Sequence, residues 1–297
     1  MKNENSNNLN SLPSLVEIEK IIYEIKNANF EKLSFNKLFR KIQSLQFTPF
    51  PTTILRKGYY IERARINKPN EIFVSESDIS YRTDFENITK YGRANTIGNS
   101  LFYGSFESKD IELARFVSLL EISEIFRNLE DNSITDTNFI MTVGKWKILS
   151  DIKVAEVVFD EESIKNSEEI QKSFEYHIKL LKKDHPKHID KIELILRFFS
   201  NQFAKKKINT HHDYMVSAIY SYLAIENGLR GVKYPSVRAD YKGHNIVLSP
   251  TIVENYLDLE VASMFRVIKK GKQTLVTPIK NCVDFGYLNT NFTWKDI

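Results

Sequence analysis

Apolar residues recur every three or four positions at the start of the chain, where Leu15, Ile18, Ile21, Ile22 and Ile25 predict a helix over 14–27. Glu17, three residues after Ser14, completes a capping box. Leu33, Leu38, Phe39, Ile42 and Leu45 predict a second helix, and Pro49 and Pro51 break the pattern. Residues 1–50 therefore read as a disordered tail plus a helical hairpin. The hairpin is expected to cap a core, with a regulatory or oligomerising appendage as the other reading.

The pattern then turns strand-like over 54–66, where Arg63 and Arg65, one residue apart, are expected on one strand face. That face either lines a pocket, where the pair could clamp a diphosphate, or meets water. After a polar stretch, Gly92 and Gly98 bracket a turn bearing Arg93 and Asn95, which feeds the apolar run Leu101-Phe102-Tyr103. Such a loop can cradle a phosphate or be a plain hairpin with a solvated arginine. The segment 110–128 is apolar nearly all round and predicts a buried helix. Glu121 lies within it; a carboxylate there is costly unless paired or used. A narrow solvent edge shared with Glu124 is the alternative.

Alternation over 138–147 and 152–159 predicts two strands paired through Leu149-Ser150-Asp151. Three helices follow at 167–183, 189–205 and 213–227, before strand patterns return at 231–239, 245–248, 257–268 and 274–278. Strands, then helices, then strands without βαβ alternation predict an α+β fold.

Composition narrows the setting. A net charge of +4, spread over 42 basic and 38 acidic residues, gives only a mild preference for anions and argues against a nucleic-acid binder. The clusters Lys182-Lys183 and Lys205-Lys206-Lys207 read as solvated helix ends. Cys282 is the single cysteine and reads as a small buried hydrophobe in a reducing, cytoplasmic protein. The Asn-rich first ten residues lack the apolar stretch of a secretory leader, and no apolar run reaches membrane-spanning length. Five histidines between His177 and His212 follow no ligand spacing, so no metal is expected.

Several short motifs stand in a telling order. They are E-R-A-R at 62–65, Y-G-R-A-N-x-x-G-x-S-L-F-Y-G-S at 91–105, S-L-L-E at 118–121, G-L-R-G-V-K-Y-P-S-V-R at 228–238 and N-I-V-L at 245–248. Over roughly residues 54 to 270 this set resembles the RES domain, a family named for an Arg, a Glu and a Ser in that order. The resemblance implies an ADP-ribosyltransferase-like mixed-sheet core and the activity of the NAD-degrading toxins of bacterial toxin–antitoxin pairs. On it, residues 51–297 form the catalytic domain, with a helical insertion at about 160–210. The catalytic residues it implies are Arg63, with Arg65 as rival, Glu121, with Glu112 and Glu124 as fallbacks, and Ser236. Arg65, Arg93, Asn95, Tyr103 and Tyr234 are the implied NAD-binding residues. The chain departs from the family at Ala94, where an aromatic residue commonly follows Gly-Arg, so stacking falls to another residue such as Tyr103.

The implied chemistry suits these residue types. As neutral nicotinamide leaves NAD, positive charge develops on the ribose, and a desolvated carboxylate such as Glu121 can stabilise it. Arg63 would hold the diphosphate, and Ser236 would orient the ribose or the amide. The acceptor is left open between water, phosphate and a macromolecule, and a nucleotide-sensing module without catalysis is the other reading. NAD is expected as substrate and no prosthetic group is expected. An inhibitory antitoxin or immunity partner, or an inactive homo-oligomer, is expected to restrain the enzyme.

Overall fold

The computed structural model describes residues 9–45, 49–122, 137–271, 273–285 and 291–297. Glu124, the end of the segment 110–128 and the first eight residues of the expected disordered tail lie outside them. The described chain is α+β. Its strands are β1 Thr52–Leu55, β2 Tyr60–Ile66, β3 Phe102–Phe106, β4 Thr137–Ile148, β5 Ile152–Glu156, β6 Gly231–Pro235, β7 His244–Leu248, β8 Leu257–Lys270, β9 Gln273–Cys282 and β10 Lys295–Asp296. They are distributed over two units.

One unit comprises Met1–Thr53, Asp84–Asn99 and Lys153–Val237. Its first helix, Leu15–Lys26, starts at the expected capping box: Ser14 N–H donates to the Glu17 carboxylate at 2.8 Å. Ile18, Ile22 and Ile25 are buried, and the helix packs on Ile189–Phe203. The second, Phe35–Gln43, packs on Met215–Glu226, with the Phe39 ring edge-on to Tyr222 at 6.1 Å. The hairpin thus shares one core with Ile189–Phe203, from the expected insertion, and with Met215–Glu226, which follows it. Met215–Glu226 is buried on nearly every side.

The second unit comprises Ile54–Thr83, Ser100–Ile152 and Arg238–Ile297. Its strands form an antiparallel sheet in the order β7-β3-β2-β4-β8-β9-β10. One face is covered by the helix Ala114–Ile122, whose Leu119 packs with Ala64, Met141, Val143, Phe265 and Val267. On the other face the fully buried Trp146 meets Phe102 edge-to-face at 5.0 Å.

Several elements differ from the reading of the sequence. β4 and β5 are not a hairpin: β4 is flanked by β2 and β8, leaving it no free edge, while β5 runs parallel to β6 through Ala155↔Val232 and Glu156↔Lys233. The turn between them is drawn aside, because the Asp151 carboxylate accepts bonds from Lys57 N–H (2.9 Å) and the Arg56 guanidinium (2.7 Å). The stretch 54–66 is two strands, broken at Gly58, whose φ of +86° suits a residue without Cβ. The helix expected from residue 110 begins at Ala114, since Ser108 caps Ile111 N–H and holds the preceding residues in a turn. It is also less buried than its sequence implies, with Phe116 exposed. Lys205 is not a solvated helix end. It is half-buried, with its ammonium over the Phe30 ring at 5.4 Å, and burial lowers its pKa. A helix at Pro250–Tyr256 and a turn of helix at Glu76–Ile79 were not anticipated. Cys282 is buried as expected. Among the described residues no helix is long and apolar enough to cross a membrane.

Candidate functional site

Register fixes which side chains meet on the sheet of the second unit. Glu62 lies opposite Ser105, and Ser105 opposite Asn245, so the three side chains form a row on one face of β2, β3 and β7. All three are buried. The helix Ala114–Ile122 lowers Ser118 onto this row, where its hydroxyl donates to the Glu62 carbonyl at 3.0 Å and meets Ser105 Oγ at 2.9 Å. One turn later, Glu121 Oε1 accepts a bond from Asn245 Nδ2 at 2.8 Å. Glu121 is half-buried and oriented by an amide that is itself buried, so the choice left open in the sequence falls to a paired carboxylate.

A second carboxylate lies in the same row. Burial pushes the Glu62 pKa up, and the Arg115 and Lys145 charges pull against it. Its Oε2 accepts from Arg115 N–H at 2.5 Å, in the first turn of the helix, and Oε1 stands 3.8 Å from the Arg115 guanidinium. A carboxylate at that position caps free N–H groups and meets the positive end of the helix dipole. Glu62 therefore anchors the helix that carries Glu121.

Arg63 and Arg65 do share a strand face, and it is the opposite one. Arg63 Nε donates to the carbonyls of Ile79 and Ser80, each at 3.1 Å, and Nη1 to that of Tyr103 at 2.7 Å. Its guanidinium lies 5.5 Å from the Phe102 ring centre. Burial, together with the Arg65 charge, brings its pKa down to about 10, so the cation persists at neutral pH. Arg65 donates to the Asp78 carbonyl and covers the Phe73 ring at 5.0 Å. The sheet thus separates Arg63 from the Glu121–Asn245 pair. Tyr103, two residues from Ser105, belongs to the Glu121 face and is half-buried. Glu112 is exposed.

The remaining implied residues lie in the other unit. Arg93 is buried, and its guanidinium donates to the carbonyls of Phe203 and Lys205 while stacking on Tyr214 at 5.1 Å. It closes the C-terminal end of Ile189–Phe203, a use of arginine that leaves the phosphate-cradle reading without support there. Asn95 shapes the same turn: its carbonyl accepts from Gly92 N–H at 3.1 Å, and its amide donates to the Thr96 carbonyl at 3.2 Å. Tyr234 is buried against Phe203 at 5.1 Å, and Ser236 is fully buried.

The residues that the sequence reading passed over are Glu62, Ser105 and Asn245, although each lies inside a motif it quoted. The available signal was parity: Glu62 alternates with Arg63, so both cannot face the same pocket. Among the described residues no group of three or more His, Cys, Asp or Glu is placed to hold a metal. No protein-family model matches the chain, and no curated protein matches it.

Proposed function

We propose that the chain cleaves the bond between nicotinamide and ribose in NAD, as a glycohydrolase or a phosphorylase. The observation that carries this reading is the half-buried Glu121 carboxylate, fixed by the Asn245 amide at 2.8 Å. A carboxylate held in place before reaction, and partly removed from water, stabilises an oxocarbenium ion without reorganising. Tyr103, on the same sheet face, offers a ring for stacking. Arg63 enters as a positioning residue: its bond to the Tyr103 carbonyl fixes the strand that carries that ring. Ser236, fully buried in the other unit, takes no part in this reading, and NAD itself enters through the sequence resemblance. So does the inhibitory protein partner that an NAD-destroying enzyme requires.

The test is nicotinamide release from NAD by the purified chain, with and without phosphate, beside Glu121→Gln. The variant keeps the shape and loses the charge, so release should fall by about 10²–10³-fold. Products of wild-type release then name the acceptor as water or phosphate. Equal rates in the two proteins would overturn the assignment of Glu121. Label found on a macromolecule would replace cleavage by ADP-ribosyl transfer, and NAD bound but intact would replace it by sensing.

A further inference from the structure

A cleft of about 350 Å³ opens in the second unit, on the Arg63 side of the sheet, between residues 76–83 and the helix Pro250–Tyr256. It is large enough for a small organic molecule. Two carboxylates line it. Glu76 Oε1 accepts the Trp146 indole N–H at 3.0 Å, and Glu254 Oε1 accepts the Tyr81 hydroxyl. Both donors are neutral, and among the described residues no Lys, Arg or His pairs with either carboxylate. The two act on one hydroxyl: the Tyr81 phenol is pushed up to about 12 by its bond to Glu254, by burial and by the charges of Glu254 and Glu76. Two neighbouring carboxylates without a paired cation give the lining a local negative potential, with the Arg63 guanidinium behind it on the Ser80 carbonyl.

A separate feature points into the same space. Ser80 is only 6% exposed and lines the cleft, yet its hydroxyl has no hydrogen-bond partner among the described residues. Its oxygen is not among the buried polar atoms left without a partner, so the hydroxyl is open to the cleft and available to a ligand or water there. Val253 and Leu257 add an apolar wall.

We propose that this cleft binds an organic cation, an ammonium or guanidinium group carried on a methylene stem. The carboxylates take the charge, the Ser80 hydroxyl accepts one N–H, and the stem lies against Val253 and Leu257. The space exceeds what a bare metal ion fills, and an anionic ligand would meet two like charges. The stem belongs either to a free polyamine or to a lysine or arginine side chain. This inference is independent of NAD cleavage, because Glu121 lies on the other sheet face and the test reads binding alone.

Trp146, one of two tryptophans in the chain, reports on the site through its bond to Glu76. Its indole N–H resonance, assigned with Trp146→Phe, would be followed while the full chain is titrated with spermidine or with a blocked Gly-Arg-Gly peptide. Saturable movement with at least one probe is expected, and the effective probe identifies the source of the stem. Glu254→Gln should weaken that probe by about tenfold or more, with resonance dispersion unchanged. Ser80→Ala should weaken it less. No movement with either probe, an equal response to sodium chloride at matched ionic strength, or full affinity in Glu254→Gln would overturn the proposal.

Discussion

Gly144→Ala tests the packing behind Arg63. A Cβ built on Gly144 overlaps the Trp146 ring and stands 3.0 Å from Ile79 Cδ1. The ring cannot swing clear easily, because it is fully buried, wedged against Phe102 at 5.0 Å and tied through Nε1 to Glu76 at 3.0 Å. Ordinary van der Waals contact would require the ring to retreat by about 1 Å. Overpacking of this kind costs about 1–3 kcal/mol, and straining the indole bond adds about 1 kcal/mol. Replacing glycine in a strand returns about 0.5–1 kcal/mol of backbone entropy. The net expectation is a loss of about 1.5–3 kcal/mol, since the steric terms exceed the entropic one. Urea unfolding followed by tryptophan fluorescence would show a lower midpoint at an unchanged slope. In a Trp146→Phe background the ring is smaller, and the same substitution should cost under about 1 kcal/mol. A Gly144→Ala chain within about 0.5 kcal/mol of wild type, or the same cost in both backgrounds, would refute the reasoning.

Two further outcomes follow from the first unit. Burial alone would raise the Glu156 pKa, but bonds from His177 (2.8 Å) and Ser173 (2.6 Å) and the Lys233 charge outweigh it and bring it to about 2. Because that lies below the ordinary carboxylate value of 4.5, its contribution is complete above about pH 4.5 and is lost as pH falls toward 2. Glu156→Gln should cost about 3–5 kcal/mol near neutrality, as when one member of a buried pair is removed, and should flatten the pH dependence of urea unfolding in that window. Arg93→Ala removes the bonds to the Phe203 and Lys205 carbonyls and the contact with Tyr214, and should cost about 2–4 kcal/mol in urea unfolding. Arg93→Lys should recover only part of it, because one ammonium cannot reproduce the planar fork.

Interactions within one turn of chain were legible in the sequence. The Ser14–Glu17 box set the start of the first helix, and the long helices at 168–184, 189–203 and 215–226 fell within a few residues of their expected positions, because capping and apolar spacing act over three or four residues. Strand segments at 102–106 and 244–248 were legible for a related reason, a short apolar run bounded by turn residues. Alternation also put Arg63 and Arg65 on one face, although it cannot say what that face meets.

Strand partners were decided only in three dimensions. β4 and β5 are neighbours in sequence and look like a hairpin, but pairing depends on which edges remain free, and the edges of β4 are taken by the distant β2 and β8. The same pairing gave Glu121 its partner. Asn245 is 124 residues away, and no local pattern announces that β7 lies beside β3 with Asn245 opposite Ser105. Arg63 was assigned to a ligand through the family resemblance, whereas the turn that packs against its face supplies the Ile79 and Ser80 carbonyls and Tyr103 supplies a third. The sequence by itself thus determined the long helices and which alternate strand residues share a face, because these rest on contacts a few residues apart. The tertiary structure alone decided which buried polar groups meet, because a carboxylate or guanidinium takes whatever donor or carbonyl the distant chain brings within about 3 Å.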